Sequence, residues 1–169
     1  MTDDALVEAM WRGKYITAYK RGRWEYVSRT GGVTAVVLLA EFEGKIILVE
    51  QHRVPVGGRC LELPAGLVGD EDRHATVEDT AVKELEEETG FTADRIEILG
   101  EFHSSPGMLA ESFTLVRAHQ LRKIGEGGGT DQEEIIVHLV ARDDIASFIE
   151  SRRREGVAID VKLMLFLEF

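Results

Sequence analysis

The run VTAVVLLA, residues 33–40, limits the fold more than any other feature of the sequence. It carries no charge, is rich in β-branched residues, and is far too short to cross a bilayer, for which roughly 20 apolar residues are needed. Lys45–Glu50 follows in the same style across a Glu43-Gly44 turn. Unbroken apolar runs of this length read as strands buried on both faces rather than one. Further strands are expected near Cys60–Leu63, Ile96–His103, Ser112–His119 and Glu134–Ala141, and a hairpin turning at Arg21-Gly22 within residues 14–28. Helices are expected from Thr76 to Thr89, and over about 143–154 and 160–168. Mostly β with one central helix and helices at the end, the order of elements gives an α/β (α+β) class, a three-layer α/β/α sandwich with a mixed sheet. The organisation expected is an N-terminal hairpin segment over residues 1–30 and one domain over residues 31–169.

Charge narrows the partners. A net charge of -11 leaves no basic surplus to displace counterions from a nucleic-acid backbone, so nucleic acid is not expected as a partner. Acidity of this kind suits divalent cations, or simply solubility. The single Cys60 cannot form an internal disulfide and reads as a small buried strand residue. The first ten residues show no basic and apolar signal regions, so a soluble cytoplasmic protein without membrane contact is expected.

The segment KELEEETGF, Lys83–Phe91, crowds four glutamates onto one helix end. Like charges at helical neighbours cost a few tenths of a kcal/mol per pair. Glu84, Glu87 and Glu88 share a face by their offsets of three and four, Glu86 points away, and Val77, Ala81 and Leu85 form a stripe for packing. Two readings fit, a solvated acidic face or a site for a hard dication that takes oxygen ligands. Context separates them. ELPAGLVG, Glu62–Gly69, leads from a strand through a Pro-Ala-Gly turn into a polar loop, where Thr76 and Asp79 form the elements of a capping box before the helix. Gly90 is placed to close the helix.

Residues 66–91 resemble the Nudix box, and LELPAG resembles the strand that precedes it in that family. The second half of the motif fits at every defined position except Lys83, where arginine is usual. The first half departs: the loop is about three residues longer than the motif's, and Ala75 stands where its first glutamate belongs, with Glu71 and Asp72 nearby. In the family that glutamate and arginine mainly support the loop, and lysine cannot reproduce the bidentate guanidinium fork. The resemblance implies an altered loop support with the metal carboxylates kept.

The resemblance further implies hydrolysis of a diphosphate linked to another moiety, by attack of a metal-bound water with Mg²⁺ or Mn²⁺ as cofactor. Metal ions are needed there because a diphosphate repels nucleophiles until its charge is neutralised. Carried over residue by residue, Glu84 and Glu88 are the main metal ligands, with Glu87 close by and the Ala65 carbonyl as a further ligand. In the ADP-sugar pyrophosphatase branch the general base comes from a later loop. GGGTDQEEIIVHLV, residues 127–140, resembles that loop, and Glu133 is the expected base or additional ligand, with Asp131 and Glu134 as competitors. VEQHRVP, SSPGMLAES and the N-terminal hairpin also resemble the ADP-ribose branch, in which that hairpin often builds a homodimer with the site between subunits. Trp24 and Tyr26 are then candidates to stack on adenine, or else simply pack at a dimer surface. Arg53 is expected on phosphate or ribose, Glu62 on ribose hydroxyls or the metal site, and Ser105, Pro106 and Gly107 at the mouth. Of the five histidines, His52 and His103 lie nearest to these segments. ADP-ribose, cleaved to AMP and ribose 5-phosphate, is the first substrate candidate. GDP-mannose or another nucleotide sugar is an alternative, as is a Nudix-fold sensor that binds such a ligand without turnover.

Overall fold

The computed structural model describes residues 5–70, 72–130 and 133–167. The N-terminal region forms an antiparallel sheet of β1 (Val7–Arg12), β2 (Ile16–Arg21) and β3 (Trp24–Arg29), in that order. The expected hairpin is β2–β3, turning at Arg21–Trp24. A third strand, β1, precedes it, with an irregularity between Ala9 and Trp11. The main body contains β4 (Thr34–Leu39), β5 (Glu41–Phe42), β6 (Lys45–Arg53), β7 (Gly58–Glu62), β8 (Ala65–Val68), α1 (Val77–Glu84), β9 (Phe91–Phe102), β10 (Phe113–Lys123), β11 (Ile136–Ala141), α2 (Ile145–Arg154) and β12 (Ala158–Ile159).

These strands build two sheets, ordered β8-β4-β10-β9 and β11-β6-β7-β12, with β5 paired to β6. The β4–β10 and β7–β12 pairs are parallel and the rest antiparallel, so the sheets are mixed as expected. The apolar runs place the layers. Side chains alternate across a strand, and in β4 Val36 and Leu38 pack with Ala81 and Leu85 of the first helix region, while Val37 packs with Ile145 and Ile149 of α2. In β6, Ile47 joins the first group and Ile46 and Leu48 the second. Helices therefore cover opposite faces of strands buried on both sides, which is the α/β/α sandwich. Among the described residues no helix is long and apolar enough to cross a membrane.

Two expected elements change form. β9 begins at Phe91 rather than near Ile96, because Gly90 closes the helix in the left-handed region and returns the chain directly into a strand. The expected helix at 160–168 is a 3₁₀ segment, Val161–Phe166. Asp160 caps it by accepting from the Lys162 N–H at 2.8 Å, and Leu163, fully buried, pins its first turn. So short a segment gains too few i→i−4 bonds to settle as an α-helix. Residues 168–169 lie outside the described residues.

Leu163 packs in the α2-side core beside Leu61 and Leu63. Replacing it with Ala should cost about 2–5 kcal/mol, as for other large-to-small core changes. Chemical denaturation monitored by circular dichroism measures this, and a loss below about 1 kcal/mol would place the C-terminal turn outside the cooperative core.

Candidate active site

The cleft begins where the chain changes sheets. β7 pairs with β6, the chain passes through Leu63-Pro64, and β8 then pairs with β4 in the other sheet. Proline has no N–H for a ladder, and its carbonyl instead accepts from the Leu38 N–H at 2.8 Å. The two sheets part around this corner, leaving a cleft of about 690 Å³ lined by both of them, by α1 and by the loop before β11. Among the described residues its carboxylates are Glu62, Asp70, Asp72, Asp79, Glu84, Glu87, Glu88, Glu111 and Glu133, against the cations Arg29, Arg53, Lys83 and Lys162.

The acidic helix starts with a reciprocal capping box: Thr76 Oγ1 accepts from the Asp79 N–H at 3.1 Å, and the Asp79 carboxylate accepts from the Thr76 N–H at 3.3 Å. Ala81 and Leu85 bury its apolar stripe. Its last turn, Leu85–Thr89, widens into a π-helical turn before Gly90. Such turns recur at functional sites because they re-aim side chains. Here the carbonyls of Glu87 and Glu88 accept from the N–H groups of Gly129 and Gly128, at 3.0 and 2.9 Å, which docks the later loop on the helix end. That contact needs glycine: a Cβ at Gly127 would stand 2.4 Å from the Thr89 carbonyl carbon.

Glu84 and Glu88 both turn toward β8. A Cβ at Gly66 would lie 2.1 Å from the Glu84 carboxyl, so only glycine lets this carboxylate rest against the strand backbone. Glu88 is 5% exposed and accepts from the Ala65 N–H at 3.0 Å. Burial, and after it the charges of Glu84 and Glu133, push its carboxyl up to about 8, although the Ala65 bond acts in the opposite sense. Glu133 is held over the cleft by its own turn, its N–H donating to the Thr130 carbonyl at 2.8 Å and its carboxylate accepting from the Thr130 N–H at 3.3 Å.

The structure thus brings Glu62, Ala65, Glu84, Glu87, Glu88, Arg53 and Glu133 to one cleft. Arg53 and Glu62 are paired bidentately, at 2.8 and 2.9 Å. The pair, led by its hydrogen bonds, raises the guanidinium further above its ordinary range. Trp24, Tyr26, Ser105, Pro106 and Gly107 do not line the cleft of their own chain, although Ser104 does. Trp24 is exposed on the N-terminal sheet, and Tyr26 stacks on Tyr19 at 5.7 Å. Neither His52 nor His103 lines the cleft; the His103 ring lies 3.3 Å from the Glu111 carbonyl. Glu134 is exposed, and Asp131 lies outside the described residues. Cys60 is a buried strand residue as expected, and burial pushes its thiol up to about 12.

Four further lining residues, Arg29, Gln51, Glu111 and Lys162, were not expected individually, although Gln51 lies in VEQHRVP and Glu111 in SSPGMLAES. Arg29 ends β3 and donates to Glu111 at 2.6 Å, across 82 positions of sequence. The chain bearing Glu111 is stitched to β3 by Val27 N–H to the Met108 carbonyl and Ala110 N–H to the Val27 carbonyl, both 2.9 Å. Gln51 arrives on the buried β6, and Lys162 on the C-terminal turn. For Arg29 the local hint is an arginine closing an alternating strand, WEYVSR.

A model of the family described as "NUDIX domain" matches residues 30–157. The chain belongs to the Nudix family of hydrolases. It is 34% identical over 155 residues to an ADP-ribose pyrophosphatase of Bacillus subtilis, covering 86% of this chain and 81% of that one. It is 31% identical over 144 residues to a GDP-mannose pyrophosphatase of Yersinia pestis, covering 80% of this chain and 70% of that one. A solved structure titled "Crystal structure of ADP compounds hydrolase" superposes with a TM-score of 0.70, at 18% identity, over 95% of this chain and 89% of its own.

Within the Nudix box, the departures at Ala75 and Lys83 both face the cleft. Lys83 lies 3.8 Å from Glu87 one turn on, a half-exposed pair of little energetic weight. Asp72 supports the loop, its side chain accepting from the His74 N–H at 2.9 Å and its carbonyl from the Ala75 N–H at 3.0 Å. Nudix hydrolases use divalent metal ions, and the donor set fits one. It is made of carboxylate oxygens, Gly66 leaves room for Glu84, and Glu88 is buried beside two like charges that a cation would offset. Among the described residues no three such side chains already converge on one metal-ligand position.

Glu88 yields a pH prediction. Its folded value of about 8 lies above the ordinary 4.5, so its contribution to stability is fully present below about pH 4.5 and is lost as pH rises through 8. In metal-free buffer the wild type should therefore lose stability relative to Glu88→Gln between about pH 5 and pH 8. Denaturant titrations of both proteins across that range measure the difference; a flat difference would contradict the assignment.

Proposed function

We propose that this chain hydrolyses the diphosphate bond of a nucleoside diphosphate sugar, with ADP-ribose, cleaved to AMP and ribose 5-phosphate, as the first candidate. The observation that carries the reading is one cleft holding both an acidic group, Glu84, Glu87, Glu88 and Glu133, and the Arg53–Glu62 pair. Similarity to the ADP-ribose pyrophosphatase of Bacillus subtilis supports the substrate class.

The carboxylates of Glu84, Glu87 and Glu88, with the Ala65 carbonyl, would hold Mg²⁺ or Mn²⁺. When bound, the ion supplies neutralisation of the diphosphate and acidification of the attacking water. Glu133 accepts the proton as water attacks phosphorus and the bridging P–O bond breaks. Arg53 offers five N–H donors, two of which engage Glu62, so the pair can present donors to phosphate oxygens and acceptors to ribose hydroxyls together. Arg29 with Glu111, and Gln51, extend the polar wall available to the sugar.

The N-terminal sheet supports a homodimer. Its strands and the residues flanking them expose Leu6, Val7, Met10, Trp11, Tyr15, Ile16 and Trp24, large apolar side chains of the kind that mark interaction surfaces when they cluster. Since Trp24 and Tyr26 do not line their own cleft, stacking on a base would require them to reach the cleft of a second copy. Met10→Glu combined with Trp11→Glu should convert the dimer to monomer in sedimentation analysis; an unchanged mass would place the interface elsewhere.

A second reading, cleavage of GDP-mannose, is favoured by the similarity to the Yersinia pestis enzyme. Incubation with Mg²⁺ and either nucleotide sugar, with products separated by chromatography, discriminates between them. With ADP-ribose, AMP and ribose 5-phosphate should accumulate. Glu133→Gln should lower kcat by about 10²–10⁴-fold, as expected for loss of a general base. Glu88→Gln should abolish most turnover while the circular dichroism spectrum is preserved. Near wild-type kcat in either variant would remove that residue from the mechanism, and tight binding of ADP-ribose without products would overturn hydrolysis.

A further inference from the structure

We propose that Arg59 is a positioning residue, which fixes the loop carrying Glu133 and is itself held for that task by the buried Glu50. The inference rests on the role proposed above for Glu133. Glu50 lies on β6 with no exposed surface, directly after the buried aliphatic run Ile46–Val49. A buried carboxylate is tolerated only with charged hydrogen-bond partners. Two arginines supply them, Arg59 Nε at 2.7 Å and Arg152 Nε and Nη2 at 3.0 and 2.8 Å, and the His138 ring adds a bond through Nε2 at 3.1 Å. Burial alone would push the Glu50 carboxyl up, but these bonds outweigh it and hold it below the ordinary range.

Two of these partners face the packing between β11 and α2. Arg59 does more. Its Nη2 donates to the Glu50 carbonyl at 2.6 Å and also to the Glu134 carbonyl at 3.1 Å. Glu134 follows Glu133 directly, so this bond grips the C-terminal end of the loop. The N-terminal end is gripped by the carbonyls of Glu87 and Glu88, which accept from Gly129 and Gly128. Just past the second anchor the Ile135 N–H donates to the Gly128 carbonyl at 3.2 Å, closing the base of the loop. Glu133 thus projects from a loop tied at one end to the acidic helix and at the other to β6 through Arg59. Bonds to both the side chain and the carbonyl of Glu50 fix the guanidinium plane in advance, so gripping Glu134 costs little further side-chain entropy.

The test compares two arginines on one carboxylate. Arg59→Met removes the grip on Glu134 and leaves Glu50 its bonds from Arg152 and His138, so the fold should survive. Arg152→Met removes two bonds to Glu50 but none to the loop. With ADP-ribose and Mg²⁺, Arg59→Met should lower kcat about 10–100-fold with KM changed less than about twofold, the scale expected for a misplaced catalytic group. Arg59→Lys should restore part of this. Arg152→Met should lower the melting temperature yet keep kcat within about twofold of wild type. Hydrogen exchange, which needs no substrate, should quicken at the amides of Gly128, Gly129 and Ile135 in Arg59→Met alone. Unchanged kcat and exchange in Arg59→Met would overturn the proposal, as would an equal loss of kcat in Arg152→Met. Glu133→Gln run in parallel separates the two readings. If it keeps full turnover, the role of Glu133 falls and the clamp is decided by exchange. If it loses turnover while Arg59→Met does not, the clamp alone falls.

Discussion

Glu88 meets the Ala65 N–H across a gap of 23 positions in sequence, and the architecture of the cleft depends on that contact. A carboxylate taken so far from water is stable only where its acceptors are met or its charge is offset. The backbone N–H of Ala65 supplies one bond, and it exists because Pro64 turns the chain out of one sheet and into the other. The same corner exposes Gly66, against which Glu84 lies. Strand corner and helix end thereby define each other. The charge left over, with Glu84 and Glu133 near Glu88, is an electrostatic debt that a dication is suited to settle.

The helix end does a second task through its main chain. A π-turn leaves the carbonyls of Glu87 and Glu88 to accept from loop glycines instead of from the next helical turn. Side chains of these residues face the cleft while their backbones hold the loop that delivers Glu133. Loop and helix are thereby coupled through their main chains. On the opposite side, the Glu50 cluster joins β6, β7, β11 and α2, so the loop is bracketed between two networks of polar contacts.

The departures at Ala75 and Lys83 can be understood in these terms. Where the family motif has a glutamate and an arginine, the longer loop before the helix is held by the Asp72 turn and the Thr76–Asp79 box, both local in sequence. The residues facing the cleft from the later part of the helix, Glu84, Glu87 and Glu88, are unaltered by the change.

Periodicity and short-range chemistry were legible in the sequence. Unbroken apolar runs showed that β4 and β6 are buried on both faces, spacing put three glutamates on one side of the helix, and the capping box and Gly90 marked its ends. These are interactions within a few residues, where the chain has little choice. Tertiary structure alone decided the rest. Arg29 finds Glu111 across 82 positions, Arg152 reaches Glu50 across 102, and Lys162 enters the cleft because Leu163 anchors a short turn in the core. It also decided that Trp24 and Tyr26 stand apart from their own cleft and that the helix ends in a π-turn. Such pairings are set by how two twisted sheets part and which loops are stitched beside them, and a single sequence carries no local signal for either.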